Sequence, residues 1–401
     1  MSTARTLLLR RASWLAPLAL LLAACGGGSE GASTTTPSTG LSVIAAIGDQ
    51  IFHDTSLSAS RRMACASCHD PAHGHSSASA DAVVPAGGPG MATPGFRKAP
   101  SLNYLNLTPA FFFDAEGTPT GGLTRDGKAD SLRAQAATPF LSAHEMANGD
   151  LPAVVARLRI ASYAEDFRSL FGANIFDDPD AAFDRARVAL QAYQLEAREF
   201  HPYDSKYDQF LAGRVALSAR ELQGLALFNS PAKGNCAACH PSARGADGSP
   251  PLFTDFTYDN LGVPRNPAIA ANADPAYFDL GLCGPFRTDL ANRADLCGAF
   301  KVPTLRNVAV TAPYFHNGRF KTLREAVGFY VRRDTHPEEW YPRTADGSVR
   351  KFDDLPPQYH RNVNTTEAPY NRTPGQAPAL SAEEIDLVVE FLATLTDGYQ
   401  P

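Results

Sequence analysis

The sequence predicts a mainly α-helical protein with two lobes, and two observations lead to this fold class. The pentapeptide Cys-Ala-Ser-Cys-His at Cys65–His69 recurs, with one letter changed, at Cys236–His240 in the second half of the chain. Helical patterns with apolar stripes flank both copies, whereas no stretch shows a convincing β alternation. We therefore expect each copy of the motif to lie at the centre of its own helical lobe.

Caps and apolar periodicity indicate where the helices lie. Ser218–Glu221 and Ser381–Glu384 have the spacing of capping boxes. Segments 71–95, 245–298 and 340–378 are rich in turn-forming or polar residues and predict long loops. The helices that we expect are Leu41–Asp54, Ser131–Ala137, Leu151–Phe171, Pro179–Phe200, Thr322–Tyr330 and one helix after each capping box.

Length and composition set the class of protein. The chain has 401 residues, of which 44% are hydrophobic and 19% are charged, and its formal net charge is −6. This balance is that of an ordinary globular protein, and the length suffices for two domains. The negative charge gives no indication of nucleic-acid binding and only weakly favours a basic partner.

The N-terminus has the layout of a secretory signal. Basic residues precede an apolar run, Leu15–Ala24, which ends in Leu-Ala-Ala before Cys25. This ending resembles a bacterial lipobox and predicts cleavage before Cys25 and acylation of its thiol; the alternative is an ordinary signal peptide with Cys25 incidental. Gly26 follows, which by resemblance to bacterial lipoproteins favours the outer membrane. No later stretch is apolar for long enough to span a bilayer, so we expect a periplasmic protein with a lipid anchor.

These signals divide the chain into four parts. Residues 1–24 are the predicted lipoprotein signal peptide, and residues 25–40, mostly Gly, Ser, Thr and Pro, are a flexible tether. Residues 41–205 form the predicted N-terminal lobe and residues 206–401 the C-terminal lobe. A composition typical of a linker near residues 201–213 suggests the boundary between the lobes.

The repeated pentapeptide is the attachment pattern of a c-type haem. Cys65 and Cys68 would form thioethers to one haem, and Cys236 and Cys239 to the other. A redox dithiol or half of a zinc site are the alternatives for a single copy. Two copies in an exported chain, each followed directly by His, favour two covalent haem c groups with the two histidines, His69 and His240, as axial ligands.

Two cysteines are left after the haem motifs and Cys25 are assigned. Cys283 and Cys297 lie in a loop rich in Gly, Asp and Asn. Disulfides persist in exported proteins, so we expect a bridge between these two residues. The alternative is a pair of free thiols.

Five blocks carry a family resemblance that covers the chain from about Leu41 to Gly398. The blocks are Cys65–Pro71, Ser131–Gln135, His144–Met146, Phe300–Asn307 and Thr311–Gly318. Together they resemble the bacterial di-haem cytochrome c peroxidases, and within them the MauG-like branch. The resemblance implies two cytochrome c-like lobes, an N-terminal haem that reacts with peroxide, a C-terminal haem that transfers electrons, and a calcium ion between them.

The second axial ligand decides what each haem does, because a filled site transfers electrons and an open one can bind peroxide. In the peroxidases a Met stands fourteen residues after the His that corresponds to His316, and here that position is Tyr330. MauG-like proteins have Tyr there, so we expect His240 and Tyr330 as the axial pair; the alternative is that Tyr330 is a buried aromatic. For the first haem we expect an open site, with Met91 as an alternative ligand.

The resemblance also supplies the distal side of the first haem. Gln135 and Glu145 match the family's distal pair, with Glu145 as acid–base group and Gln135 as polar orienter; the alternative for Glu145 is a solvated surface carboxylate. His73 and His75 are expected to be exposed loop residues or propionate partners. His144 is expected to be a bystander.

Two further family features map less cleanly onto this chain. The calcium ligands map to the carbonyls of Thr311 and Pro313 and to the side chain of Asn103, with Asn106 as a rival because the register is shifted by about one residue. The family's Trp between the haem groups stands just before an Asp-Gly pair, and here Arg125 occupies that position.

These residues predict a peroxidase that reduces hydrogen peroxide with electrons from a small periplasmic cytochrome c or cupredoxin. A MauG-like oxidation of a side chain in a partner protein is the second possibility, and a di-haem electron carrier is the third. Carriers keep both iron sites filled, so the open first site favours an enzyme.

Overall fold

Ten α-helices carry most of the regular structure in the part of the chain that the computed structural model describes, residues 40–77 and 83–401. The predicted mainly helical class is therefore confirmed. The N-terminal half contains α1 (Val43–His53), α2 (Leu132–Gln135), α3 (Ala137–Leu141), α4 (Leu151–Leu158), α5 (Ala164–Phe171) and α6 (Pro179–Glu196). The C-terminal half contains α7 (Lys206–Leu211), α8 (Ala219–Asn229), α9 (Leu323–Arg332) and α10 (Ala382–Ala393).

The strands of the described residues are only two residues long and form three antiparallel pairs. In β5 and β6, Tyr258 lies opposite Lys301 and Asp259 opposite Phe300, so this pair joins segments that are distant in sequence. Such short strands have no alternating pattern to detect, which explains why the sequence indicated none. The pairs are β1 (Ala86–Gly87) with β2 (Thr93–Pro94), β3 (Phe112–Phe113) with β4 (Pro119–Thr120), and β5 (Tyr258–Asp259) with β6 (Phe300–Lys301).

The capping boxes place the helix starts correctly. Ser218 and Glu221 bond reciprocally at the start of α8, and Ser381 and Glu384 do so at the start of α10. One prediction was wrong, because the expected helix Leu151–Phe171 is two helices, α4 and α5. Tyr163, in the break between the two helices, is buried, and its hydroxyl donates to Asp54 at 2.9 Å.

The buried apolar side chains form two main clusters, one in each half of the chain. In the first, α1 packs on α6 so closely that a Cβ at Gly48 would clash with the carbonyl oxygen of Ala189. In the second, α8 packs on α10, and a Cβ at Gly224 would clash with the carbonyl oxygen of Leu387. Glycine permits both close crossings. Both clusters lie within one compact unit, residues 37–401.

Buried polar contacts connect the two halves. The guanidinium of Arg97 binds Asp279 at 2.5 Å and Asp126 at 2.7 Å. The Tyr104 hydroxyl donates to the carboxylate of Asp397 at 2.7 Å, although 293 residues separate the two in sequence. These contacts hold the loop segment that contains Arg97 and Tyr104 against the C-terminal half of the chain.

The structure contains a disulfide between Cys283 and Cys297, with the sulfur atoms 2.05 Å apart. Cys25 and the predicted signal peptide lie outside the described residues. Across the residues that are described, we find no helix with the length and apolar character needed to cross a bilayer.

Candidate active site

The two Cys-x-x-Cys-His motifs adopt the same local structure. Each begins with a short 3₁₀ turn, and the backbone N–H of its histidine donates to the carbonyl of its first cysteine. This distance is 3.0 Å from His69 to Cys65 and 2.9 Å from His240 to Cys236. The turn therefore brings both thiols and the imidazole of each motif to one wall of a cavity.

A backbone carbonyl holds each histidine ring in place. Nδ1 of His69 lies 2.9 Å from the carbonyl oxygen of His75, and Nδ1 of His240 lies 2.7 Å from that of Phe253. Burial lowers the pKa of His69 to about 4 and also lowers the pKa of His240. Each ring is thus neutral near pH 7, and a proton on Nδ1 would leave Nε2 to bind a metal, the arrangement typical of a ligating histidine.

The four motif cysteines are unpaired, and burial keeps their thiols protonated. It raises the pKa of Cys65, Cys236 and Cys239 to about 12 and that of Cys68 to about 11. The zinc alternative finds no support in the described ranges, where no three His, Cys, Asp or Glu side chains come together as a metal site. The geometry suits the addition of paired thiols to a haem.

A small cavity of about 60 Å³ lies beside the first motif. Gln135, at the end of α2, and Glu145, in the turn after α3, both line it together with His69. The turn is held by hydrogen bonds from the backbone N–H of Glu145 to Ser142 and from that of Met146 to Pro139, at 3.0 and 3.1 Å.

The carboxyl of Glu145 is half-buried at the edge of this cavity rather than fully solvated. Burial raises its pKa above the ordinary value, and a hydrogen bond with Ser142 and the charge of Lys128 partly oppose this rise. The alternative of a solvated surface carboxylate therefore does not describe this residue. A half-buried carboxyl with a raised pKa beside a candidate haem ligand is suited to accept and return a proton.

Other residues near the first motif differ from expectation. Met91 is not among the described residues that line the small cavity, whereas Met63 and Met146 are. His75 is 1% exposed, so it is not an exposed loop residue, while His73 is part-exposed and pairs with Asp70 at 2.7 Å. No sequence pattern indicated the role of His75, which orients His69 through its backbone carbonyl.

A larger cavity of about 280 Å³ contains the second motif. Cys236, Cys239, His240 and Tyr330 all line it, and Tyr330 is carried there by α9. Burial is the main cause of the raised pKa of the Tyr330 phenol, and the nearby carboxyl of Asp259 raises this pKa further. A phenolate would therefore form here only with a cation such as iron beside it.

Several comparisons with known proteins agree with this geometry. A family model described as di-haem cytochrome c peroxidase matches residues 43–216. The methylamine utilization protein MauG of Paracoccus denitrificans is 37% identical over 98% of this chain and 97% of its own length. The chain belongs to the di-haem cytochrome c peroxidase family. The family contains both cytochrome c peroxidases and MauG proteins, and membership makes this protein an oxidoreductase and implies two haem c groups.

Further relatives support the assignment to the di-haem peroxidases. The crystal structure of the diheme peroxidase BthA from Burkholderia thailandensis is similar with a TM-score of 0.80 at 39% identity, covering 88% of this chain and 86% of that one. A MauG-like protein associated with microbial copper homeostasis has a TM-score of 0.62 at 25% identity, covering 90% and 91%. The cytochrome c551 peroxidase of Nitrosomonas europaea is 29% identical over 71% of each chain.

The larger cavity is also lined by basic side chains that the sequence analysis did not identify as candidate haem-binding residues. Lys98, Arg125 and Lys301 line it, and within the described residues none of the three is paired with a carboxylate. Nε of Arg125 is buried without a hydrogen bond, and burial with the charge of Arg125 lowers the pKa of Lys301 to about 7. Buried cations of this kind need an anionic partner, and the carboxylates of haem propionates fit that need. The residues present therefore fit the haem groups that the family implies.

Two of the four residues considered as calcium ligands, Thr311 and Asn103, make hydrogen bonds within the protein. The carbonyl of Thr311 accepts a hydrogen bond from Nζ of Lys98 at 2.5 Å. The side chain of Asn103 contacts Nδ1 of His75 through Oδ1 at 2.9 Å and donates through Nδ2 to the carbonyl of Glu199 at 3.1 Å. Thr311 and Asn103 thus both have hydrogen-bond partners within the protein.

Proposed function

We propose that this protein reduces hydrogen peroxide to water in the periplasm, with electrons delivered by a small cytochrome c or cupredoxin through the C-terminal haem. One observation carries the proposal: Glu145 and Gln135 share a single cavity with His69 and the first pair of cysteines. This gives the N-terminal lobe, residues 41–205, the acid–base group that peroxide cleavage needs next to a haem attachment site. The C-terminal lobe, residues 206–401, receives the electrons.

The protein's own contribution to the reaction is proton transfer. The overall change is H2O2 plus two electrons and two protons to two molecules of water, and the haem supplies the iron at which peroxide binds. The carboxylate of Glu145 accepts the proton from the inner peroxide oxygen and returns it to the outer oxygen, which leaves as water. The amide of Gln135 orients the peroxide by hydrogen bonding. Burial of Glu145 holds its pKa closer to neutrality, which favours both halves of this transfer.

The second site is proposed to store or relay electrons. His240 and Tyr330 line the same cavity, and these two side chains would hold the iron of a haem bound there. A phenolate donates charge to the iron and lowers its potential, whereas Met/His ligation raises it. A haem with this pair would not need to be reduced before peroxide reacts, so the fully ferric protein should be active.

A second candidate function is the peroxide-dependent oxidation of a side chain in a partner protein. Two observations favour it: Tyr330 in the larger cavity, and 37% identity to a MauG protein along nearly the whole chain. The two functions share the first step at Glu145 and differ in the source of the electrons. A peroxidase takes them from a redox protein, and the MauG-like reaction takes them from a substrate side chain.

The electron-carrier alternative is also open to test. Met63 and Met146 line the small cavity, and either thioether could fill the site that an enzyme keeps open. EPR of the ferric protein distinguishes the cases, because one high-spin and one low-spin haem indicate an open site. Two low-spin signals would indicate a carrier.

Steady-state turnover tests the main proposal. The purified holoprotein should oxidise two equivalents of a reduced one-electron donor, such as cytochrome c or a cupredoxin, for each peroxide consumed. Peroxide consumption without donor oxidation, together with a mass change in a co-incubated periplasmic protein, would instead support the MauG-like reaction. Absence of both reactions in protein with two low-spin haem groups would overturn the enzymatic proposals.

A further inference from the structure

We propose that the side-chain nitrogen of Lys98 takes the place of the calcium ion that relatives are expected to hold between their haem groups. The protein would then maintain this junction with a covalently attached amine and would need no metal there. The inference concerns the structure of the junction and does not depend on which substrate the enzyme oxidises.

The distance from the lysine to its acceptor is the first reason. Nζ of Lys98 lies 2.5 Å from the carbonyl oxygen of Thr311, one of the two expected calcium ligands. Calcium–oxygen distances are about 2.3–2.6 Å, so the nitrogen lies as far from this oxygen as a calcium ion would. An amine N–H donates to a carbonyl in either protonation state, and a metal ion could not occupy the position of this nitrogen without displacing the lysine.

The expected side-chain ligand is also engaged elsewhere. Both ends of the Asn103 amide have protein partners, His75 at 2.9 Å and the carbonyl of Glu199 at 3.1 Å. The rival, Asn106, has a buried Oδ1 that accepts no hydrogen bond within the described residues, so this oxygen is the candidate ligand still free to bind a cation. Asn106 is therefore the residue to include in the test.

Lys98 is fixed at both its backbone and its side chain. Its backbone N–H donates to the carbonyl of His316 at 2.9 Å, and the residue is only 4% exposed. It thus contacts both ends of the segment 311–316, which lines the larger cavity together with it. The preceding residue, Arg97, binds Asp279 at 2.5 Å. This double attachment joins the segment that follows the first haem motif to the wall of the second site.

A covalently attached amine and a bound metal respond differently to chelation. A chelator removes calcium but cannot remove a lysine, so the thermal midpoint of a lysine-held junction should not change with EGTA. Replacing Lys98 by Met keeps the length of the apolar stem and removes the nitrogen, which leaves the Thr311 carbonyl buried without its donor. Such a loss is destabilising because the carbonyl stays out of contact with water and no longer has a hydrogen-bond donor.

The test uses the full-length holoprotein with both haem groups attached. Elemental analysis should find far less than one calcium per chain after dialysis against calcium-free buffer, and neither EGTA nor added calcium should shift the thermal midpoint. Lys98→Met should lower that midpoint, whereas the exposed control Lys128→Met should leave it unchanged.

Two results would overturn the inference. One is stoichiometric calcium in the wild type that EGTA removes with a fall in thermal midpoint, especially if Asn106→Ala abolishes the binding. The other is a Lys98→Met variant that is as stable as the wild type. The metal analysis needs only wild-type protein, so the inference can fail even if the variant does not fold.

Discussion

Replacing Glu145 with Gln is the most direct test of the proposed proton transfer. The substitution keeps the size and shape of the side chain and removes its ability to take a proton from peroxide. The small cavity of about 60 Å³ should retain its packing, because Gln fills nearly the same volume. Only the chemistry at one position should change.

The structure sets the expected size of the effect. The carboxyl of Glu145 is half-buried and lines the cavity. Gln135 is the other polar side chain matched to the family's distal pair, and its amide cannot act as a base. Loss of a general acid–base group slows a reaction by roughly 10²–10⁴-fold, which corresponds to about 3–5 kcal/mol of transition-state stabilisation. We expect the reaction with peroxide to slow by a factor in this range.

Stopped-flow absorbance after mixing ferric holoprotein with peroxide measures this rate directly. In the wild type, the raised pKa of Glu145 means that the rate should fall on acidification at a higher pH than an ordinary glutamate would give, since protonation removes the base. This acid limb should vanish in Glu145→Gln. The exposed residue Glu165 offers a matched control, and Glu165→Gln should leave both rate and pH profile unchanged.

An unchanged rate in Glu145→Gln, in protein whose mass shows both haem groups attached, would remove Glu145 from the mechanism. A slowed rate with an unchanged acid limb would also contradict the reasoning, because it would assign the titration to another group. Restoration of part of the rate in Glu145→Asp would support the carboxylate itself.

Three further predictions concern the second site and the core. Tyr330→Met should raise the midpoint potential of the second haem, since Met/His ligation does so in cytochromes c, and redox titration that finds no change would exclude Tyr330 as a ligand. Arg125→Gln should lower the same potential by on the order of tens of millivolts, because a buried cation favours the less positive reduced state; an equal potential in the two proteins would exclude its proximity to that haem. Asp208→Asn should cost about 3–5 kcal/mol of unfolding free energy, because the buried guanidinium of Arg306 binds both oxygens of Asp208 at 2.8 and 2.9 Å and would lose its counter-charge. Since this ion pair lowers the pKa of Asp208 in the folded state, its contribution should be present above the unfolded pKa and be lost as pH falls through the folded value, which urea unfolding at several pH values can check.

The features that depend on a few neighbouring residues could be predicted from the sequence. The Cys-x-x-Cys-His motifs are such features, because the turn that aligns their thiols and imidazole closes within five residues. The capping boxes at Ser218 and Ser381 are others, since each is completed three residues later. The placement of Gln135 and Glu145 beside His69 came from the family resemblance, and the burial that raises the pKa of Glu145 needed the structure.

Contacts between distant residues were decided only by the tertiary structure. Lys98 and Thr311 are 213 residues apart, and nothing in either local sequence indicates that one donates to the other. The amide of Asn103 could equally have faced a metal, and its contact with His75 depends on how the loop after the first motif folds back. Sequence patterns record local geometry and apolar periodicity, whereas the partner of a buried polar atom is chosen by the packing of the whole chain. For this protein, the sequence alone therefore predicted where the haem groups attach, and the fold decided that an amine contacts the carbonyl expected to bind calcium.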